Sequence, residues 1–310
     1  MPLGSFTCDL EKRPFVKVDD AERATLYPFP NALIDRVFVD GPACNTLALR
    51  LFHALHFVAW NTMDVADNQM PLAHGSKILR STIGRSGQSS NSDLRAAFRV
   101  LTECQFALPA PESPDDLVTA PLLDWQHIDR EGRAFWAFSE PVQTWCSRPG
   151  STYAWLDLRV TTALSNVAAL RLYELGSALV LRDHKTLRVV PSDLRAYLDA
   201  ADTYPTWSDF DGKLVAKSID QVNAHAAFTI GRRLYSAIAH RSVDAVILSV
   251  TPNPNAVPST TPLLHPLRLE DVSIMPLPEA TPLQDFQFRH SSTSPSMGRS
   301  GAMIELGVGP

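Results

Sequence analysis

The sequence predicts an α+β protein, chiefly from the order of elements between residues 151 and 250. Apolar periodicity and β-branched runs indicate, in order, a helix over 156–181, a strand at 187–190, helices over 191–198 and 204–224, and strands at 228–230 and 243–250. Helix, strand, helix, helix, strand, strand is the order of a winged helix. In that fold the third helix reads DNA and the closing hairpin contacts the DNA backbone.

Composition indicates a protein with a substantial core and no membrane span. The 310 residues, 45% of them apolar, allow one large or two modest domains. The sequence shows neither the roughly 20 consecutive apolar residues of a membrane helix nor a secretory signal. The scattered cysteines predict reduced thiols in a cytoplasmic protein: Cys8, Cys44, Cys104 and Cys146.

The net charge of −5 argues mildly against a nucleic-acid partner, so its distribution along the chain matters. Residues 1–150 carry 14 basic and 18 acidic side chains, residues 151–250 carry 11 and 10, and the remainder carries 3 and 5. Residues 71–105 carry five basic side chains against Asp93 and Glu103. These two less acidic regions permit DNA binding without demonstrating it.

The two ends of the chain are rich in proline. Residues 1–44 are predicted to form an irregular arm with one possible strand at 33–39, because prolines interrupt the short apolar runs. Residues 251–310 combine closely spaced prolines with a serine-rich run at 290–300. This composition predicts a largely disordered Pro/Ser-rich C-terminal tail.

Residues 45–140 are predicted to form a first lobe, which begins with a helix that Asn45 caps. Leu47, Leu51 and Leu55 recur on one face of that helix. His53 and His56 lie on the same segment, and no carboxylate or cysteine accompanies them. Packed or solvent-facing histidines are therefore favoured over a metal site.

A second pair of helices follows in this lobe. The pattern predicts a helix over 71–83, a Gly/Ser-rich turn at 84–90 and a helix over 93–104 that Ser92 caps. Such a pair can enter a major groove, although the pattern alone favours an ordinary helical hairpin with solvated arginines. The candidate DNA contacts here are Lys77, Arg80, Arg85, Ser92, Arg95 and Arg99.

A β hairpin is predicted to complete the first lobe. Residues 107–121 contain four prolines and are predicted to form a loop. Strands at 122–128 and 133–138 then form the hairpin, and residues 141–150 form a hinge to the second lobe, residues 151–250.

The predicted helix over 204–224 has two distinct faces. Its inward stripe is Trp207, Phe210, Leu214, Ile219 and Val222. Its exposed stripe is Thr206, Asp209, Lys213, Lys217 and Asp220. Donors and acceptors near the exposed start of such a helix can read base edges, whereas a solvated face with incidental lysines is the alternative. Arg232 and Arg233 lie on the hairpin, where paired arginines can hold phosphates.

The same region resembles the iteron-binding plasmid replication initiators over about a third of the chain. The resemblance rests on five pieces in order: Tyr153-Ala-Trp-Leu-Asp-Leu-Arg-Val, Ala169-Leu-Arg-Leu-Tyr-Glu-Leu175, Ser192-Asp-Leu-Arg195, Tyr204 to Phe210, and Ile219-Asp-Gln-Val-Asn223. It implies two tandem winged-helix domains. By position, the residues on the family's reading helix are Thr206, Ser208, Asp209, Lys213 and Lys217, and those on its wing are Arg232 and Arg233.

The resemblance also implies a function. Such initiators bind direct repeats in double-stranded plasmid origin DNA, open the adjacent duplex and bring in the host initiator and replicative helicase. As dimers, joined through the first winged helix, they repress their own gene at an operator. They are not enzymes and use no cofactor.

Two alternatives remain open from the sequence. One is a winged-helix transcriptional regulator without initiation activity, and the other is a winged-helix protein that binds protein partners. An enzyme is disfavoured, because the sequence has no P-loop, nucleophile elbow, metal-ligand cluster or dinucleotide-binding glycine pattern.

Overall fold

The computed structural model describes residues 25–62, 72–83, 90–113, 115–147, 153–182, 185–201, 203–236 and 243–253. The order helix, strand, helix, helix, strand, strand occurs in both lobes, and in the first lobe two further strands, at 105–109 and 117–120, precede the closing pair. The first copy comprises α2 (Thr46–Thr62), β3 (Leu72–Gly75), α3 (Ser76–Ile83), α4 (Asn91–Glu103), β6 (Leu123–Ile128) and β7 (Arg133–Phe138). The second comprises α7 (Val167–Val180), β9 (Thr186–Val189), α8 (Pro191–Tyr197), α9 (Trp207–Phe210), a π-helical turn (Asp211–Val215), α10 (Ala216–His225), β10 (Phe228–Tyr235) and β11 (Ala245–Pro252). The sheets have matching orders, β3-β7-β6 and β9-β11-β10. The predicted α+β fold with two tandem winged helices is confirmed.

Side-chain caps fix where several helices begin. Asn45 accepts a hydrogen bond from the Ala48 amide at 2.9 Å, as predicted for the start of α2. The prediction that Ser92 caps α4 is wrong, because Ser90 and Asp93 form a reciprocal capping box two residues earlier.

The predicted helix over 156–181 is wrong, because the chain there forms three elements. These are β8 (Tyr153–Asp157), α6 (Leu158–Ala163) and α7. Asp157 caps α6 through the Arg159 amide at 2.9 Å, and Asn166 caps α7 through the Ala169 amide at 2.7 Å. Each cap starts a new helix within an apolar run whose periodicity hides the break.

Residues 25–44 are more regular than the predicted arm. They contain β1 (Leu26–Pro30), α1 (Asn31–Ile34) and β2 (Val37–Asp40), so the predicted strand at 33–39 is wrong over its first half. Strand β1 pairs antiparallel with β8, and no other strand of the described residues joins that sheet, which accommodates the prolines of β1. Its side chains at Tyr27 and Phe29 are fully buried.

Three further predictions for the first lobe need correction. The loop predicted at 107–121 contains β4 (Gln105–Pro109) and β5 (Leu117–Ala120), which extend β2 into a sheet of order β2-β4-β5. The hinge predicted at 141–150 largely forms α5 (Glu140–Ser147). The helix predicted over 71–83 is shorter, because residues 72–75 pair with β7 as a strand.

A buried ionic cluster joins the two lobes. The Glu174 carboxylate of α7 accepts hydrogen bonds from Arg36 at 2.8 and 3.1 Å and from Arg171 at 2.8 Å. The His53 ring lies 2.8 Å from the same carboxylate. Burial lowers the pKa of His53 despite its contact with Glu174. Tyr27 lies 2.8 Å from the other ring nitrogen of His53. Elements before and after the inter-lobe connection thus share one cluster.

Strand β11 carries the second sheet two residues beyond the predicted end at 250. The rest of the predicted tail, from residue 254, lies outside the described residues, as does the arm before residue 25. Within the described ranges, no helix has the length and apolarity needed to cross a bilayer.

Candidate nucleic-acid interface

The second lobe contains one long continuous helix, residues 207–225, which is formed by α9, the π-helical turn and α10. Phe210, Val215, Ile219 and Val222 are buried, and the five-residue step from Phe210 to Val215 coincides with the π-helical turn. The predicted inward stripe is confirmed at three positions, whereas Trp207 and Leu214 are half-buried. Lys213, Lys217 and Asp220 lie on the exposed side, as predicted.

Contacts within the lobe fix the start of the long helix. The Thr206 hydroxyl accepts from the Asp209 amide at 3.1 Å and donates to the Asp209 carboxylate at 2.8 Å. Arg195 donates to the Tyr204 and Thr206 carbonyls and lies over the Phe210 ring at 4.6 Å. Thr206 therefore serves as the N-cap of this helix, whereas Ser208 is exposed beside it.

Acidic groups compensate much of the positive charge on the long helix. Lys213 lies 2.7 Å from Asp209. The hydrogen bond from Lys213, with a further one from Thr206, lowers the pKa of Asp209. Residues 207–225 hold three aspartates and two lysines. Lys217 is exposed, and none of the ion pairs among the described residues involves it.

The two arginines of the wing, which we define as β10 and β11, have different surroundings. Arg232 makes a bidentate contact to Asp211 of the π-helical turn, at 2.7 and 2.8 Å. That hydrogen-bonded pairing raises the pKa of Arg232. Arg233 points to the opposite face of the strand and is exposed, and no ion pair within the described chain involves it. Of these two arginines, Arg232 is the one that an ion pair within the described residues holds in place.

The end of the long helix is also bonded to the wing. The Asn223 side chain accepts from the Ile230 amide at 2.6 Å and donates to the Ile230 carbonyl at 3.1 Å. Asn253 donates to the carbonyls of Asn223 and Ala226 at 3.0 and 3.1 Å, closing the helix C-terminus. Hydrogen bonds thus join the wing to the long helix near both ends of the helix.

The first-lobe candidates lie on α3, α4 and the segment between them. Arg95 and Arg99 are exposed on α4, where Arg99 lies 3.6 Å from Glu103. The Ser92 hydroxyl is exposed and lies 2.6 Å from that of Ser90. Arg80 is half-buried. Two candidates fall wholly or partly outside the description: the side chain of Lys77 and all of Arg85.

The two histidines of α2 are packed in the core. His56 contacts the Pro28 carbonyl at 2.9 Å and the Cys146 thiol at 3.4 Å, and burial lowers its pKa to about 4. His53 belongs to the Glu174 cluster. Across the described ranges no group of three or more His, Cys, Asp or Glu side chains could hold a metal ion.

Sequence reasoning missed Asp211, Asn223 and Arg195 as organisers of this surface. Asn223 ends the Ile219-Asp-Gln-Val-Asn223 motif and Arg195 ends the Ser192-Asp-Leu-Arg195 motif, but neither motif indicates which residue the side chain contacts. Asp211 pairs with a residue 21 positions away, and only the placement of the wing against the helix reveals it.

Comparison with known proteins bears on the fold. No protein-family model matches the sequence, and no curated protein matches it. Among solved structures, the Pi initiator protein in complex with iteron DNA is similar, with a TM-score of 0.55 and 14% identity. The match covers 75% of this chain and 99% of that one. The fold of this chain is therefore that of an iteron-binding replication initiator, as the sequence resemblance predicted.

Proposed function

We propose that this protein is a DNA-binding initiator of plasmid replication that recognises direct repeats in an origin. The observation that carries the proposal is the exposed long helix, fixed beside a wing, in a fold shared with an initiator solved on iteron DNA. Ser208, Lys213 and Lys217 offer hydrogen-bonding and cationic groups along that helix, and Arg233 offers one on the wing.

The finer parts of the proposal follow from the same family resemblance. The first winged helix contributes backbone contacts through Arg95 and Arg99 and joins two copies when the protein represses its own gene. Bound to repeats, the protein opens the adjacent duplex and recruits the host initiator and helicase. It acts in the cytoplasm by binding and has no reaction or cofactor of its own.

Binding to the repeat array should fall steeply as salt rises. A protein that neutralises about 6–10 phosphates loses roughly 10³–10⁵ in affinity between 50 and 200 mM salt. The measurement is fluorescence anisotropy with a duplex carrying the direct repeats beside this gene and a scrambled duplex of equal length. Salt-independent binding, or equal affinity for both duplexes, would contradict the proposal and favour a protein-binding role.

The long helix supplies a second test. Lys213→Ala combined with Lys217→Ala should abolish preferential repeat binding while leaving the circular dichroism spectrum and melting temperature unchanged, because both side chains are exposed. The charge-preserving pair Lys213→Arg with Lys217→Arg is the control and should retain salt-dependent binding. Full-strength repeat binding by the alanine double variant would place the reading surface elsewhere.

The kind of DNA site beside the gene distinguishes an initiator from a transcriptional regulator. An initiator requires an array of direct repeats of about 20 base pairs, roughly two helical turns, beside an A·T-rich tract. A regulator requires only a promoter operator, and plasmid replication would continue without the protein.

A further inference from the structure

Two contacts brace the wing against the long helix, one near each end of the helix. The first is the bidentate pair between Arg232 and Asp211, and the second is the two-point bond between Asn223 and the backbone of Ile230. The Arg232 side chain lies on the face of β10 that also carries buried Phe228, whereas Asn223 bonds the backbone of Ile230 along the edge of the sheet. Together the two contacts form a brace between the wing and the long helix.

The geometry limits what Arg232 can do for DNA. Two of its donor nitrogens are already taken by a carboxylate in the planar arrangement that suits a guanidinium best. The pair adds no net charge to the surface, so a phosphate would meet little attraction there. Arg233, one residue along, points to the other face and carries none of these constraints.

We propose that Arg232 and Asp211 are positioning residues that set the angle between wing and long helix, and that Arg232 is not a phosphate contact. The inference rests on the proposed DNA-binding function. Asn223 holds the C-terminal end of the long helix to Ile230, two residues from Arg232 on β10, so loss of the ion pair leaves the wing attached there but free to pivot. A pivoting wing disturbs simultaneous contact of helix and wing with one repeat, and leaves nonspecific attraction unchanged.

Whether Asp211→Asn weakens or strengthens binding to the repeat duplex distinguishes a positioning role from a simple charge effect. If Asp211 only masks Arg232, its neutralisation frees a cation and should strengthen binding to any duplex. If the pair positions the wing, Asp211→Asn should weaken repeat binding by about tenfold, although it binds the scrambled duplex no less tightly than the wild type does. Arg232→Gln should give the same loss, and the double variant should be no worse than either single variant.

The salt dependence gives an independent readout. Loss of one phosphate contact lowers the slope of log affinity against log salt by about 0.9. We expect that decrease for the neighbouring control Arg233→Gln, and an unchanged slope for Arg232→Gln and Asp211→Asn. A lower slope for Arg232→Gln together with tighter binding by Asp211→Asn would overturn the proposal.

Hydrogen exchange without DNA keeps the two hypotheses apart. Backbone amides of β10 and β11 should exchange faster in Asp211→Asn and Arg232→Gln than in the wild type or Arg233→Gln. If the wild type shows no preference for the repeat duplex, the proposed function fails, and the exchange experiment still decides whether the brace exists. Unchanged exchange in both brace variants would contradict it.

Discussion

Replacing Glu174 with Gln should lower the free energy of unfolding by about 3–5 kcal/mol. Burial alone would raise the pKa of Glu174, but Arg36 and Arg171 outweigh it and hold the pKa well below its usual range. The amide keeps the shape and removes the charge, so two buried guanidinium groups lose their counterion. Urea denaturation at pH 7, followed by intrinsic fluorescence, measures the change.

An exposed ion pair provides the matched control for Glu174. Glu103 pairs with Arg99 on the surface of α4, and Glu103→Gln should change the free energy of unfolding by no more than about 0.5 kcal/mol. Equal effects of the two substitutions would show that the cluster contributes no more than a surface pair. A Glu174→Gln variant that loses one lobe in a separate, earlier transition would show that the lobes fold independently.

The Glu174 cluster also connects the segment before residue 45 to both lobes. Arg36 precedes the first winged helix, His53 lies within it, and Arg171 and Glu174 belong to the second. Strand β1 meanwhile pairs with β8 across the inter-lobe connection. The segment before residue 45 thus contributes to the joint between lobes, and it packs against both.

The elements that sequence predicted best are those with a local cause. Asn45 caps α2 through a residue three positions away, and the strands at 123–128 and 133–138 meet across a short turn. The exposed positions of Lys213 and Lys217 likewise follow from helical spacing. In each case, a few neighbouring residues contain the information.

The elements that sequence missed depend on distant partners. Strand β1 carries two prolines and becomes a strand because β8 lies beside it, with Leu26 opposite Asp157. The π-helical turn adds one residue to the buried spacing, which a search for regular period does not detect. Arg232 was predicted to hold a phosphate, but its pairing with Asp211 depends on how the wing meets the helix.

Replacing His56 with Phe should reduce the loss of stability on acidification. Burial lowers the pKa of His56 from 6.5 to about 4, so between these values the unfolded chain binds a proton that the folded chain does not. Stability from this group is therefore full above pH 6.5 and is lost as pH falls towards 4, by about 3 kcal/mol in total. About 2 kcal/mol of that loss falls between pH 6.5 and 5.

Urea denaturation of both proteins at pH 7.5 and pH 5 tests this expectation. At pH 7.5 His56→Phe should be less stable by about 1–3 kcal/mol, because the buried Pro28 carbonyl loses its donor. At pH 5 the difference should shrink by about 2 kcal/mol. The exposed His127 provides the control, and His127→Phe is compared with the wild type at the same two pH values.

Comparing His56→Phe with the wild type also removes the contribution of Asp35 to the pH dependence of the free energy of unfolding, which has the opposite sign. Burial raises the pKa of Asp35 to about 6, so the folded chain binds the extra proton and stability from this group falls as pH rises from about 4 to 6. The wild-type profile therefore mixes two opposite trends, whereas Asp35 cancels in the difference between His56→Phe and wild type. A difference that stays constant from pH 7.5 to 5 would mean that His56 takes up its proton equally in the folded and unfolded chains.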